Sequence, residues 1–250
     1  MKRSLWLVLT ALILASLLLP ACGPAPKTKI TVAMDATWPP FEYVDETTQE
    51  IVGFDVDLIK AIAEDQGLEI EIVNVPWDSL LAGMAQCQYD ISISAMTITE
   101  ERKQSFNFSD PYFAAGQVVT VQMSNTDING KDDLVGKTVG VQLGTTGDIE
   151  AQKIEGATVK NYDDIGLAFQ DLINGQIDAV IADNPLALGY VGRNPDKLKT
   201  VGEVFTDEYY GIAVCKTNTE LLEKINAGLA AVKAKGLIEE LTAKWIVGGQ

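Results

Sequence analysis

The chain has 250 residues, with 35 Asp and Glu against 19 Lys and Arg, three Cys and no His. A formal charge of −16 argues against nucleic acid or an anionic lipid surface as a partner. Without histidine the usual general base and the commonest metal ligand are missing, so most hydrolytic mechanisms lose their central group, and no metal or cofactor is expected.

In chain order, Lys2 and Arg3 precede an apolar run over residues 5–19 that ends at Pro20. A bilayer-spanning helix needs roughly 20 apolar residues, so this run reads as a targeting leader over residues 1–21. Gly23-Pro24-Ala25-Pro26-Lys27 makes residues 22–28 a short, stiff tether. Once Lys2 and Arg3 are removed, 17 basic residues face 35 acidic ones, a formal charge of −18. No other run is long enough to span a bilayer.

Period-two alternation predicts a strand over residues 30–34. Phe54, Leu58, Ala61 and Ile62 predict a helix over 53–66, stopped by Gly67. A strand over 68–75, a helix capped by Asp78 that holds Leu80, Leu81 and Met84, and a strand over 89–95 follow. The second set begins with a strand over 137–143 and a turn over 144–148 that leads into a helix. Asp163 or Asp164 caps a helix carrying Leu167, Phe169, Leu172 and Ile173. A strand over 177–182 runs into a helix that Pro185 can open. The chain ends in a strand over 210–215 and two helical stretches within 219–241, separated by Gly236. This alternation argues for α/β layers with mostly parallel sheets.

The halves echo one another: Gln88-Tyr89-Asp90-Ile91-Ser92-Ile93-Ser94 resembles Gln176-Ile177-Asp178-Ala179-Val180-Ile181-Ala182 in position and pattern. Each runs into a polar cluster, Thr97 and Arg102 in one, Asp183 and Asn184 in the other. Open α/β sheets bind ligands at the carboxyl ends of their strands, so two such edges could face each other across a cleft. Outside the cytoplasm, Cys87 and Cys215 suggest a disulfide, although two buried thiols satisfy the sequence equally.

Two resemblances sharpen this reading. Leu19-Pro20-Ala21-Cys22 resembles the lipobox of bacterial lipoproteins, which implies that Cys22 is diacylated and becomes the first residue of a chain anchored to the outer face of the cell membrane. An ordinary secretory leader cut after Ala21 is the alternative. Further on, Asp35-Ala36-Thr37-Trp38-Pro39-Pro40-Phe41-Glu42, Gly53-Phe54-Asp55-Val56-Asp57-Leu58, Ser94-Ala95-Met96-Thr97-Ile98-Thr99-Glu100-Glu101-Arg102 and Phe108-Ser109-Asp110-Pro111-Tyr112 are similar to the solute-binding proteins of polar-amino-acid ABC importers. Gly140-Val141-Gln142-Leu143-Gly144-Thr145-Thr146-Gly147 and Ile177-Asp178-Ala179-Val180-Ile181-Ala182-Asp183 continue the likeness in order and spacing.

That resemblance implies an α/β, two-lobed periplasmic-binding-protein fold of type II (a Venus flytrap), with two crossings between lobes. Residues 29–112 and 211–250 would form one lobe, 117–205 the other, and 113–116 with 206–210 the hinge. The expected protein is a monomer that captures a free L-amino acid, with arginine, lysine or glutamine favoured, and delivers it to a membrane permease. Arg102 would take the ligand carboxylate, with backbone N–H groups near Thr97, Thr145 and Thr146. Asp183 would take the ammonium, helped by Ser94 and the Thr97 hydroxyl; Ala95 belongs to the same set. Trp38 and Trp77 would sandwich the ligand side chain and Asp35 would receive its far end; Gln142 belongs to the same set but, able to donate or accept, does not decide the ligand. Phe41 reads as core, and Glu42 can point either way. A dehydratase or lyase on this scaffold would need Glu42 or Asp35 as its general acid; a ligand-sensing module is the third reading.

Overall fold

A computed structural model describes residues 29–247; the leader, the tether and Cys22 lie outside the described residues. The apolar runs pair into two five-stranded sheets of matching design. The first orders its strands β5 (Ile70–Asn74), β1 (Ile30–Met34), β6 (Ile91–Ser92), β15 (Ala213–Cys215) and β7 (Phe106–Phe108). The second orders β11 (Thr158–Tyr162), β10 (Thr138–Gln142), β12 (Ala179–Asp183), β9 (Gln117–Gln122) and β13 (Leu198–Val201). In each, three parallel strands meet a fourth that runs antiparallel. The sheets are therefore mixed rather than mostly parallel, because each fourth strand adjoins a chain crossing and enters from the opposite end.

The sequence echo has a physical basis. The Asp90 carboxylate accepts the Thr31 N–H at 2.8 Å while its own N–H donates to the Thr31 carbonyl at 3.1 Å. Asp178 makes the same pair with Thr138, at 2.7 and 2.9 Å. Each aspartate thus pins the start of the third parallel strand of its sheet onto the first parallel strand.

Between the sheets, β8 (Phe113–Ala115) and β14 (Glu208–Tyr210) form an antiparallel ribbon. The predicted strand over 210–215 divides here, β14 staying in the ribbon and β15 joining the first sheet. The turn between them is tight: a Cβ on Gly211 would lie 2.7 Å from the Ile98 side chain. Beneath the ribbon, Phe41, which is fully buried, meets Phe54, Phe113 and Tyr210 edge-on, with centroids 5.1–5.6 Å apart. A short sheet of β2 (Thr37–Trp38), β3 (Glu42–Val44) and β4 (Ile51–Val52) carries Phe41 in its first turn.

Helices cover the sheets where their apolar stripes fall. Helix α1 (Phe54–Gln66) begins at Gly53, whose φ of +138° and a virtual Cβ 2.1 Å from the Phe41 carbonyl admit only glycine. The N–H groups of Phe54 and Asp55 then donate to the Pro40 and Phe41 carbonyls, at 3.0 Å each. Helix α2 (Trp77–Ala85) starts on Pro76 without a side-chain cap; Asp78 instead accepts the N–H of Ser79. Helix α3 (Arg102–Ser105) is a single turn. Helix α4 (Thr146–Gln152) begins inside the predicted turn, capped by Thr145, and α5 (Ile165–Ile173) is capped by Asp164. Helix α6 (Asn184–Arg193) carries Pro185 in its first turn, and α7 (Thr219–Ala234) ends before Gly236, which is left-handed at φ +77°.

The predicted strand over 89–95 keeps its ladder only at Ile91–Ser92, since Cys87 and Ala95 adopt positive φ at either end. Cys87 and Cys215 are joined by a disulfide across the antiparallel pair β6–β15, closing a loop with a sequence separation of 128. It ties the returning C-terminal segment to the sheet built by the N-terminal one. Replacing both cysteines by alanine is expected to lower unfolding free energy by about 2–5 kcal/mol, measured by urea denaturation, because so long a loop is freed in the unfolded chain.

Candidate ligand-binding site

The strand ends of the two sheets face one another, and the residues that project between them come from loops that strong backbone constraints hold in place. From the first sheet, Asp35 follows β1 and is almost fully buried, at 2% exposure. One of its carboxylate oxygens accepts the Thr37 hydroxyl at 3.0 Å and the other the Gln142 amide at 2.8 Å. Gln142 ends β10 of the second sheet, and its carbonyl oxygen accepts the Trp38 indole N–H at 2.5 Å. Because an indole only donates, the Gln142 NH2 must face Asp35. A Trp38–Gln142–Asp35 bridge therefore crosses the cleft.

At the other end lies Asp183, the last residue of β12, also at 2% exposure. It stands before Asn184-Pro185, yet its side chain caps nothing. Its oxygens accept instead from the Gln117 amide at 2.7 Å and the Tyr210 hydroxyl at 2.6 Å. Arg102 approaches from the first sheet. Its guanidinium donates to the Thr97 carbonyl at 2.8 Å and to the Gly144 carbonyl at 3.2 Å, and lies over the Trp77 ring, 5.1 Å from the centroid. Thr97 forms a narrow antiparallel pair with Tyr210, which turns its carbonyl outward toward Arg102.

Burial dominates the electrostatics. It raises Asp35 to about 6 and Asp183 to about 7; the hydrogen bonds from Gln142, Thr37, Tyr210 and Gln117 only partly oppose it. Burial also lowers Arg102 to about 10, against the pull of Asp183, Glu208 and Glu101. Among the described residues none of Asp35, Asp183 and Arg102 belongs to an ion pair.

Several residues expected to touch a ligand are engaged elsewhere. The Ser94 hydroxyl accepts the Asp35 N–H and donates to Glu42, both at 2.9 Å, so only its carbonyl can face the cleft. The Ala95 N–H donates to Asp55. The Thr145 hydroxyl accepts the Asp148 N–H and donates to the Gln142 carbonyl. Trp77 packs under Arg102, with Leu80, Met84 and Phe106 around it. Glu42 points inward and is fully buried.

Two further polar residues of the cleft escaped the sequence reading. Glu208, on the ribbon, accepts the Thr97 and Thr146 hydroxyls at 2.8 Å each, the Thr206 hydroxyl at 2.7 Å and the Gln117 amide at 3.4 Å. One carboxylate thus collects hydroxyls from both sides of the cleft. Gln117 joins Glu208 to Asp183, and α4 approaches closely here, since a Cβ on Gly147 would sit 2.9 Å from the Gln117 oxygen and 3.0 Å from the Ile181 carbonyl oxygen. Gln117 opens the apolar run Val118-Val119-Thr120-Val121, a strand signal; nothing in the sequence marks Glu208. The cleft opens to solvent through two concavities. One, of about 510 Å³, is lined by Thr97, Thr146 and Glu208; the other, of about 480 Å³, by Thr37, Asp164, Tyr190 and Arg193.

Comparison with known proteins agrees with the fold. The L-cystine-binding protein TcyJ of Escherichia coli strain K12 is 34% identical over 218 residues, 86% of this chain and 82% of its own. An ancestral arginine-binding protein bound to arginine superposes with a TM-score of 0.84 at 44% identity, over 88% of this chain and 99% of that one. The arginine-, lysine-, histidine-binding protein ArtJ of Geobacillus stearothermophilus gives 0.82 at 42% identity, over 87% and 94%. The profile of the bacterial extracellular solute-binding proteins, family 3, matches residues 30–248, and this chain belongs to that family.

Proposed function

We propose that this protein captures a free polar or basic L-amino acid, arginine ahead of lysine and glutamine, and presents it to the permease of an ABC importer. The observation that carries this reading is the charge balance of the cleft. Asp35 and Asp183 are buried, hydrogen-bonded and without a cation partner, at opposite ends of a site whose facing cation is Arg102. A bound α-carboxylate would pair with Arg102 and an α-ammonium with Asp183. That leaves Asp35 for the side chain, where a guanidinium or ammonium satisfies a carboxylate that an uncharged amide would leave unbalanced. Glu208 adds further negative charge nearby. Arginine-binding relatives support the same ligand class.

The ribbon over β8 and β14 serves as the hinge in this reading, with residues 29–112 and 211–247 moving against 117–205. Ligand favours the closed form because Arg102 and Asp183 stand on opposite lobes. The leader and Cys22 fit a lipid anchor that holds the protein beside its permease at the outer face of the membrane. Among the described residues no helix is long and apolar enough to cross a membrane.

Calorimetry on the chain beginning at Lys27, unfolded and refolded to strip carried-over ligand, tests the assignment against the twenty L-amino acids plus ornithine and citrulline. Arginine should bind tightest; silence across the panel would reject the reading. Arg102→Ala should weaken arginine by at least about 30-fold, since it removes the carboxylate's partner. Asp35→Asn should cost arginine about 10- to 100-fold and leave glutamine within about threefold. The pH dependence has two opposite signs. Asp35 and Asp183 must ionise to receive a cation, so arginine binding near pH 6.5 should release protons and weaken as pH falls. Both are raised above the ordinary 3.8, so their share of the ligand-free protein's stability is present below about 4 and lost as pH rises through 7. Calorimetry in buffers of different ionisation heat, and thermal melts from about pH 5 to 8, check the two trends.

A further inference from the structure

Beneath the site, Glu42 of β3 and Asp55 of α1 are both fully buried. One oxygen of each, Glu42 Oε2 and Asp55 Oδ1, finds no donor among the protein's N–H and O–H groups. The remaining oxygens are tightly specified. Asp55 Oδ2 accepts the Ala95 N–H at 2.8 Å and the Tyr112 hydroxyl at 2.7 Å. Glu42 Oε1 accepts the Ser94 hydroxyl, which in turn accepts the Asp35 N–H. The Ser94 hydroxyl, which already accepts a backbone N–H, directs its own hydrogen to Glu42 Oε1. Burial, and after it the neighbouring Asp55 carboxyl, pushes Glu42 well above the usual carboxylate range, and two bare carboxylates so placed repel one another.

We propose that Glu42 and Asp55 share one proton and act as positioning residues for the amino-acid site, Glu42 Oε2–H donating to Asp55 Oδ1. Asp55 keeps the negative charge because two donors already serve its other oxygen. The pair holds two pieces of the first lobe's half-site. Through Ser94 it fixes the backbone of Asp35. Through Asp55 it holds Ala95 in a left-handed conformation, φ +43°, that residues with a side chain rarely adopt. Ala95 lies between the Ser94 carbonyl and Thr97, so the direction of both depends on that turn. Asp35 and Tyr112 are the other titratable groups acting on the pair, and neither is a cation.

The inference rests on the amino-acid-site reading for its binding arm and is independent of it for its spectroscopic arm. In infrared spectra of the ligand-free protein at about pH 9, where Asp35 and Asp183 are ionised, a protonated-carboxyl C=O band should be present and should vanish in Glu42→Gln and in Asp55→Asn. Each single amide can replace the shared proton with an N–H donor, so arginine affinity should stay within about threefold of the parent. The double variant sets two NH2 groups face to face, and turning either one abandons Ser94 or Ala95; its affinity should fall by at least about tenfold. Absence of the band from the parent protein, or a double variant that binds as well as the singles, would overturn the proposal. A wrong ligand would silence the binding arm and leave the band in place.

Discussion

Two carboxylates held out of water without a cation set the terms for the rest of this molecule. Asp35 and Asp183 each retain hydrogen bonds to neutral donors, and burial pushes both toward the protonated form. Such groups cost stability wherever they ionise unpaired, and a protein keeps them when something else supplies the missing charge. The cost is spread over amide and hydroxyl donors rather than met by lysine or arginine. In the proposed reading the ligand supplies that charge on arrival.

The scaffold makes that arrangement tolerable by anchoring backbone rather than side chains. Asp90 and Asp178 fasten equivalent strands of the two sheets, and Gly53 lets α1 begin against the Pro40 and Phe41 carbonyls. The aromatic group of Phe41, Phe54, Phe113 and Tyr210 fills the space under the ribbon. Tyr210 spans both functions, its ring in that group and its hydroxyl on Asp183. Packing at the crossing and charge in the cleft are therefore not separable.

Contacts across the cleft divide into two kinds. Trp38, Gln142 and Asp35 meet through a neutral amide, whereas Thr97 and Thr146 meet on the carboxylate of Glu208. The first lies where a ligand side chain would end and the second beside Arg102. A carboxylate placed there by the ribbon couples the crossing itself to residues of both lobes, which a purely mechanical hinge would not do.

The repeated α/β pattern, the paired Asp90 and Asp178 segments and the motifs around Asp35, Arg102 and Asp183 were legible in the sequence because they are local: short spacings and residue types that dictate turns, caps and charge. The partners of the Ser94 and Thr145 hydroxyls and of the Ala95 N–H were not, since Glu42, the start of α4 and Asp55 reach them only in the fold. Glu208 carried no signal at all, because its partners lie between 2 and 111 residues away and only the ribbon brings them to one carboxylate. Likewise Glu42 could face either way until Ser94 and Asp55 closed around it. The sequence by itself determined the elements, the family likeness and the chemical types available to a ligand. The tertiary structure decided which polar groups are already spent on one another, because hydrogen-bond partners in a buried network are set by distance and direction, not by order along the chain.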